Sequence, residues 1–444
     1  MNKRYSYLLI FCLLLLCVCF GACSKDDDQE PVETQPPIEN SPGDLSHSHA
    51  YGENDLCEIC GEAYVNRGLS FEIKDGACTV TKYQGTATVV NIPSKYKGVA
   101  VTAIGEECFS YHLFIEQVLI PKSVRSIEKK AFLGCVALSE LRLPDSLESI
   151  GNSAFMGCES LTEVVLPDSV TLLDEGAFAL CTAMTKFTMG SGITRPGKYV
   201  FRNCSKLTEI ILPATLKLIS NDMFDGCASL SSVSIPDGVE AIGHRAFLNC
   251  DSLTDVVLPE SVLLLGQSAF QNCDELSSIT IPESMLEIRE SAFENCTALS
   301  TVRISNIKNW CQIRFLSNYS NPLSYGAGLY LNGELVEDLV LPEGITTLTY
   351  FAFFDYAYLK SVVLPESLLE IGGYAFGRCQ ALRELEFKSN ITNIWEAILY
   401  ECENVQVIRY AGTREQWEQI EISEEKQDGQ DNSILEQLVK FQTK

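Results

Sequence analysis

One residue recurs at a fixed step through most of the chain. Phenylalanine stands at Phe109, Phe132, Phe155, Phe178, Phe201, Phe224, Phe247, Phe270 and Phe293, each 23 residues after the last, and the register never slips. Two further columns keep step with it. One is an apolar residue, often followed by glycine, at Ile104, Ile127, Ile150, Leu173, Ile219, Ile242, Leu265 and Ile288; the other is a cysteine three residues after the phenylalanine, from Cys135 to Cys296. After a 60-residue gap the pattern resumes at Phe353, Phe376 and Leu399, with Cys379 and Cys402. A period of this length overrides any domain count drawn from the 444 residues, because each repeat is one supersecondary unit that cannot bury its apolar face alone.

The unit Leu161 to Cys181 reads LTEVVLPDSVTLLDEGAFALC. Alternation puts Leu161, Val164 and Leu166 on one side of a short strand, with Thr162, Glu163 and Val165 on the other. Pro167 ends the strand because it cannot donate to a ladder, and Asp168-Ser169 supplies turn chemistry. Val170 and Leu173 return apolar groups to the interior, and Ala177, Phe178 and Cys181 fit a single helical turn opposite the strand. Stacked units predict a right-handed solenoid of twelve turns, counted by the phenylalanine column, with a parallel β-sheet on one face and helical turns on the other.

These residues carry a resemblance. The unit resembles the 23-residue leucine-rich repeat of BspA-type bacterial surface proteins, over about residues 69 to 422. Phe71 to Ile104, with Tyr83-Gln84-Gly85 and Ile92-Pro93, is similar to that family's hairpin-rich opening cap. The interruption resembles the family too, through Asn309-Trp310-Cys311, Ser320-Asn321-Pro322-Leu323 and Leu329 to Leu335; within it Asn332-Gly333 is a type I′ hairpin signal. Tyr410-Ala411-Gly412-Thr413 before Trp417 resembles the closing segment, a short helix with Thr413 as N-cap. Three positions depart from the pattern: Pro196-Gly197 in place of the apolar-glycine pair, Gly190 in place of the strand-ending proline, and Tyr356 in place of a ladder cysteine. The chain then divides into a signal peptide (1–22), a lipidated tether (23–46), a Cys/His segment (47–68), a β cap (69–100), leucine-rich repeats (101–304), an insert with a hairpin (305–341), a second repeat array (342–404) and a C-terminal cap (405–444).

The first residues speak to compartment. Lys3 and Arg4 precede an apolar stretch from Leu8 to Phe20 that closes on Gly21-Ala22 and Cys23, a secretory signal too short for a comfortable membrane span. Phe20 to Cys23 resembles the lipobox of bacterial lipoproteins, which implies that Cys23 carries the lipid; Phe20 departs from that motif's usual leucine. The segment to about Ser46, with Pro31, Pro36, Pro37 and Pro42 among acids, cannot form a core and reads as a tether. Lys25-Asp26-Asp27-Asp28 looks like the signal that sends lipoproteins to the outer face of the outer membrane, although it also suits plain solvated linker.

Nineteen cysteines would suggest a disulfide framework, yet their spacing argues against one. Column cysteines on adjacent turns would lie about 5 Å apart with parallel Cβ vectors, whereas a disulfide needs converging Cβ atoms near about 3.8 Å. A ladder of buried thiols is expected instead, each donating weakly to a backbone carbonyl. Cys57 and Cys60 stand outside this column. With His47 and His49 they offer two thiols and two imidazoles, enough for a tetrahedral structural zinc site, though the spacing suits a local dithiol as well.

Composition narrows function. Fifty-nine acidic against 33 basic residues give a net charge of −26, which repels phosphate backbones and anionic lipid headgroups, so no nucleic acid is expected and the membrane is met only through a lipid anchor. Four histidines and the lack of a G-x-S-x-G elbow, P-loop, dinucleotide fingerprint or H-E-x-x-H motif leave no catalytic residues to name, and a non-enzyme is expected. Solenoids bind through outward strand positions, and here acid-plus-aliphatic pairs recur every second turn: Glu163 with Val165, Glu209 with Ile211, Asp255 with Val257. Such a stripe favours a basic or mixed protein surface, while valine and isoleucine equally suit strands as such. The resemblance implies adhesion to host or neighbouring-cell proteins or glycoproteins, and a monomer is expected. A structural component of the envelope, or a glycan-capture protein, is the alternative.

Overall fold

The computed structural model describes residues 68–423 and 431–441, all of them within the unit Ser48–Lys444. In the unit read above, Leu161, Val164 and Leu166 are buried while Thr162, Glu163 and Val165 face solvent. Strand Glu163–Val165 pairs in parallel with Lys186–Thr188, and that strand with Glu209–Ile211, every partner lying 23 residues away. The apolar-glycine column makes a second parallel ladder, in which Leu172–Leu173 pairs with Ser149–Ile150. Glycine follows because the coils approach closely there: a Cβ on Gly151, Gly243 or Gly372 would stand 2.7, 2.6 or 2.5 Å from a backbone nitrogen of the preceding coil.

The side opposite the first ladder is tighter than one helical turn. The N–H groups of Ala131, Leu133 and Cys135 close successive turns onto carbonyls three residues back, while those of Lys130, Phe132 and Gly134 donate to Asn152, Ala154 and Met156 of the next coil at 2.8, 2.7 and 2.8 Å. Alternate donors pointing inward along the turn and outward to the neighbour require left-handed backbone twice per apex, as at Lys130 (φ 55°) and Gly134 (φ 70°). The second of these positions is often glycine or asparagine, the residues that visit this region at least cost. Where it is asparagine the side chains stack into a ladder: Asn295 Nδ2 donates to Asn272 Oδ1 at 2.9 Å, and Asn272 Nδ2 to Asn249 Oδ1 at 2.8 Å.

Inside, the phenylalanine column is a continuous stack. Phe109, Phe132 and Phe155 lie 5.0 Å apart centroid to centroid with planes within 5°. One step differs. Phe178 and Phe201 stand 6.5 Å apart, and Phe187 meets both edge-on at 5.1 and 4.6 Å, in the coil that carries Gly190 and Pro196-Gly197. Beside the stack each column thiol donates to the carbonyl of the phenylalanine 26 residues earlier, as from Cys135 to Phe109 at 3.0 Å and from Cys402 to Phe376 at 2.9 Å. The cysteines among the described residues are all free and buried.

At the interruption the first ladder passes from Thr301–Ile304 to Gly328–Leu331, which turns back through Asn332 (φ 53°) and Gly333 (φ 91°) to Glu334–Leu335. A new ladder starts at Asp338–Val340. Side chains splice the two arrays. Trp310 Nε1 donates to Ala352 O at 2.9 Å, and Tyr356, at a thiol position, donates its hydroxyl to Val336 O at 2.6 Å and accepts from Leu329 N at 3.2 Å. The longer phenol reaches backbone that a thiol could not. The insert and the chain end contribute coils without the marker phenylalanine, so the solenoid has about 14 turns rather than twelve. At the far end Thr413 caps helix Arg414–Trp417, Trp417 packs edge-on against Phe387 and Tyr410, and Val439–Phe441 adds to strand Val407–Tyr410.

Burial pushes the thiols of Cys135 and Cys204 up to about 12, and those of Cys158, Cys181 and Cys227 well above the ordinary value. Unfolded thiols ionise near about 8.5, so above that pH the native state holds more protons than the unfolded one and stability must fall as pH rises towards 12. The melting temperature should therefore be level through neutral pH and decline steadily in alkali. Iodoacetamide at neutral pH should reach the ladder thiols only in denaturant; labelling of native protein would mean the ladder is open.

Candidate binding face

Outward strand positions are the part of each coil that packing leaves free. Val165, Ile211 and Val257 are 67%, 45% and 58% exposed, large fractions for aliphatic side chains, and Glu163, Glu209 and Asp255 are exposed beside them. Glu163, Val165, Glu209 and Ile211 share one three-stranded ladder. Asp255 and Val257 open the next, because Ser232 to Ser234 form no strand between them. The structure thus brings four of the six residues together and sets two across a break.

The carboxylates are not a bare acidic line. Lys186 sits in register between Glu163 and Glu209, with Nζ 2.8 Å from Glu209 Oε1, and hydrogen bonding to Glu209 followed by the nearby charges raises its pKa. Asp255 accepts from Ser278 Oγ and pairs with Arg303 Nη1 at 3.2 Å, two coils on. These pairs are solvent-exposed, so each adds little stability and leaves the charges available for exchange with a partner. What the face offers is alternating charge around isolated aliphatic side chains.

The second array continues the pattern. Asp338 and Val340 repeat the acid-then-aliphatic spacing, Val340 is 68% exposed, and Ser361 Oγ donates to Asp338 Oδ1 at 2.6 Å. The same D-x-V spacing is present in the sequence past the interruption. On the second ladder Leu263 and Leu286, one coil apart, are also exposed, at a position that precedes each strand and that no core needs. Cys23, His47, His49, Cys57 and Cys60 lie outside the described residues. Among the described residues no cluster of His, Cys, Asp or Glu is placed to hold a metal ion, and no helix is long and apolar enough to cross a membrane.

Residues 102–231, 217–321 and 326–422 match the BspA-type leucine-rich repeat region in six copies. The chain belongs to the BspA-type leucine-rich-repeat family. A leucine-rich repeat protein from Bacteroides ovatus, 25% identical, superposes with a TM-score of 0.58 over 78% of this chain and 88% of its own. A leucine rich cell surface protein from Faecalibacterium prausnitzii, also 25% identical, aligns over 81% of this chain and 97% of its own with a TM-score of 0.41. No curated protein matches the chain. BspA-type solenoids are in general binding scaffolds of surface proteins, not enzymes, which makes the exposed strand face the first place to look for a partner.

Proposed function

We propose that this BspA-type solenoid is an adhesin-like protein, lipid-anchored and displayed on the bacterial outer membrane, that as a monomer binds a host or neighbouring-cell protein through its strand face. The observation that carries this reading is the set of aliphatic side chains left in water at outward positions, Val165, Ile211 and Val257, each two residues along its strand from an exposed carboxylate. Apolar side chains rimmed by polar ones are the composition of an interface core and its rim. The mixed charge favours a basic or mixed protein surface, and no catalytic group is required of the chain.

Two triple variants test the face by surface binding kinetics on host matrix and plasma glycoproteins. Charge reversal at Glu163, Glu209 and Asp255 should slow association and change its salt dependence, because rim charges act before contact. Val165, Ile211 and Val257 changed to threonine keep strand propensity, yet should raise the dissociation rate by about tenfold or more, since desolvated contacts are felt after docking. Both triples should melt like the parent. Binding that survives both would remove the strand face and leave the insert from Trp310 to Leu335 or the apex side.

The anchor and the Cys/His segment belong to the same proposal. Cys23→Ala should abolish labelling by a fatty-acid analogue and release the chain from membranes; a mutant that still takes the label contradicts lipidation at Cys23. The Cys/His segment is proposed as a zinc clip at the start of the folded part. Purified protein with His47, His49, Cys57 and Cys60 intact should then hold about one equivalent of zinc and lose it when either cysteine is changed to serine. Less than about half an equivalent rejects the clip.

A further inference from the structure

We propose that the coil apices from Tyr199 to Gln271 form a pocket for a neutral saccharide, separate from the strand face. A cavity of about 550 Å³ opens there, within the range of about 300–1,000 Å³ typical of small-ligand sites. Four successive coils line it with Tyr199, Asp222, His244, Arg245, Gln267 and Gln271. In the earlier coils the corresponding apex positions carry Lys130, Ser153 and Gly176, so the set is peculiar to this part of the solenoid. It begins in the coil where Phe187 separates Phe178 from Phe201.

Each arginine around the pocket has a carboxylate partner, Glu287 being shared with Arg314. Arg245 Nε lies 2.8 Å from Oδ1 of the buried Asp222, Arg202 Nε lies 3.0 Å from Oδ2 of the buried Asp225, and Arg289 Nε lies 2.8 Å from Glu287 Oε1. At each of these pairs an anion would lie beside a carboxylate, and a cation beside a guanidinium, so either meets a like charge. A neutral ligand avoids both costs. The hydrogen-bonding capacity, in contrast, is not used up. Asp222 Oδ1 is buried against Arg245 Nε at 2.8 Å with no further partner, and among the described residues neither the Gln267 amide nor the Tyr199 hydroxyl has a hydrogen-bond partner. His244 spends Nε2 on Arg289 Nη1 at 3.2 Å and leaves Nδ1.

A ligand that suits this set must both donate and accept at several adjacent atoms and carry no charge. Vicinal hydroxyl groups do so, since each gives one proton and takes others, which matches a carboxylate beside a guanidinium and an amide that offers both roles. The Tyr199 ring has the Arg202 guanidinium 5.5 Å from its centroid; its remaining surface can take the apolar C–H face of a pyranose, as amphipathic aromatics do at wet sites.

Isothermal titration of the purified full chain with maltotetraose, cellotetraose, mannotetraose and N-acetylchitotetraose, each beside inorganic phosphate, tests the assignment. At least one tetrasaccharide should bind and phosphate should not. Tyr199→Asn, with a residue that tolerates the left-handed backbone at φ 61°, and Gln267→Ala, at an exposed position, should each weaken binding by about tenfold or more with unchanged melting. The strand-face triples should leave saccharide affinity untouched, which separates this pocket from the proposed protein-binding face. No binding of any of the four at millimolar concentration, binding that survives both substitutions, or binding of phosphate alone would overturn it.

Discussion

Each coil satisfies part of its backbone only through the coil beside it, and the rest of the structure follows from that dependence. Strand Glu163–Val165, the short ladder at Leu172–Leu173 and the apex donors around Phe178 all bond to residues 22 to 24 positions away. A one-residue slip would leave polar groups unpaired on three sides at once and turn the phenylalanine out of its stack. Register is thus fixed by backbone and core together, which accounts for a period that holds from Phe109 to Phe293 without an insertion.

Where the period fails, a side chain takes over what regularity did elsewhere. Phe187 fills the wider step between Phe178 and Phe201, and Tyr356 replaces a thiol so that its hydroxyl can reach the insert's backbone. These irregular coils are also where the surface stops being uniform. The apex pocket begins just past Phe187, and the strand ladder breaks at Ser232 to Ser234, between the two groups of acid-and-aliphatic residues.

The sequence made the inner columns legible because a core residue must recur wherever the coil recurs. Phe, the apolar member of the apolar-glycine pair and Cys all fell on buried positions, and the thiols donate to carbonyls as small buried groups should. The apex was harder. Ala177, Phe178 and Cys181 have helical spacing, but spacing does not reveal that alternate N–H groups leave the turn for the next coil, and only the glycines and asparagines at left-handed positions hinted at it. The binding face was half legible. Outward residues were identified by alternation, yet the pairing of Glu209 with Lys186, and of Asp255 with Arg303 two coils on, depends on register and side-chain reach that no single repeat encodes.

The claim that stability lies in neighbour-to-neighbour stacking is tested most directly by calorimetry of Phe201→Ala. Phe201 is fully buried, and its removal should leave a cavity that costs about 3–5 kcal/mol in the coil already widened by Phe187. With coupling between the two sides of that coil weakened, melting should split into two transitions, one for the coils before it and one for those after. A single transition at the parent temperature would contradict the stacked account.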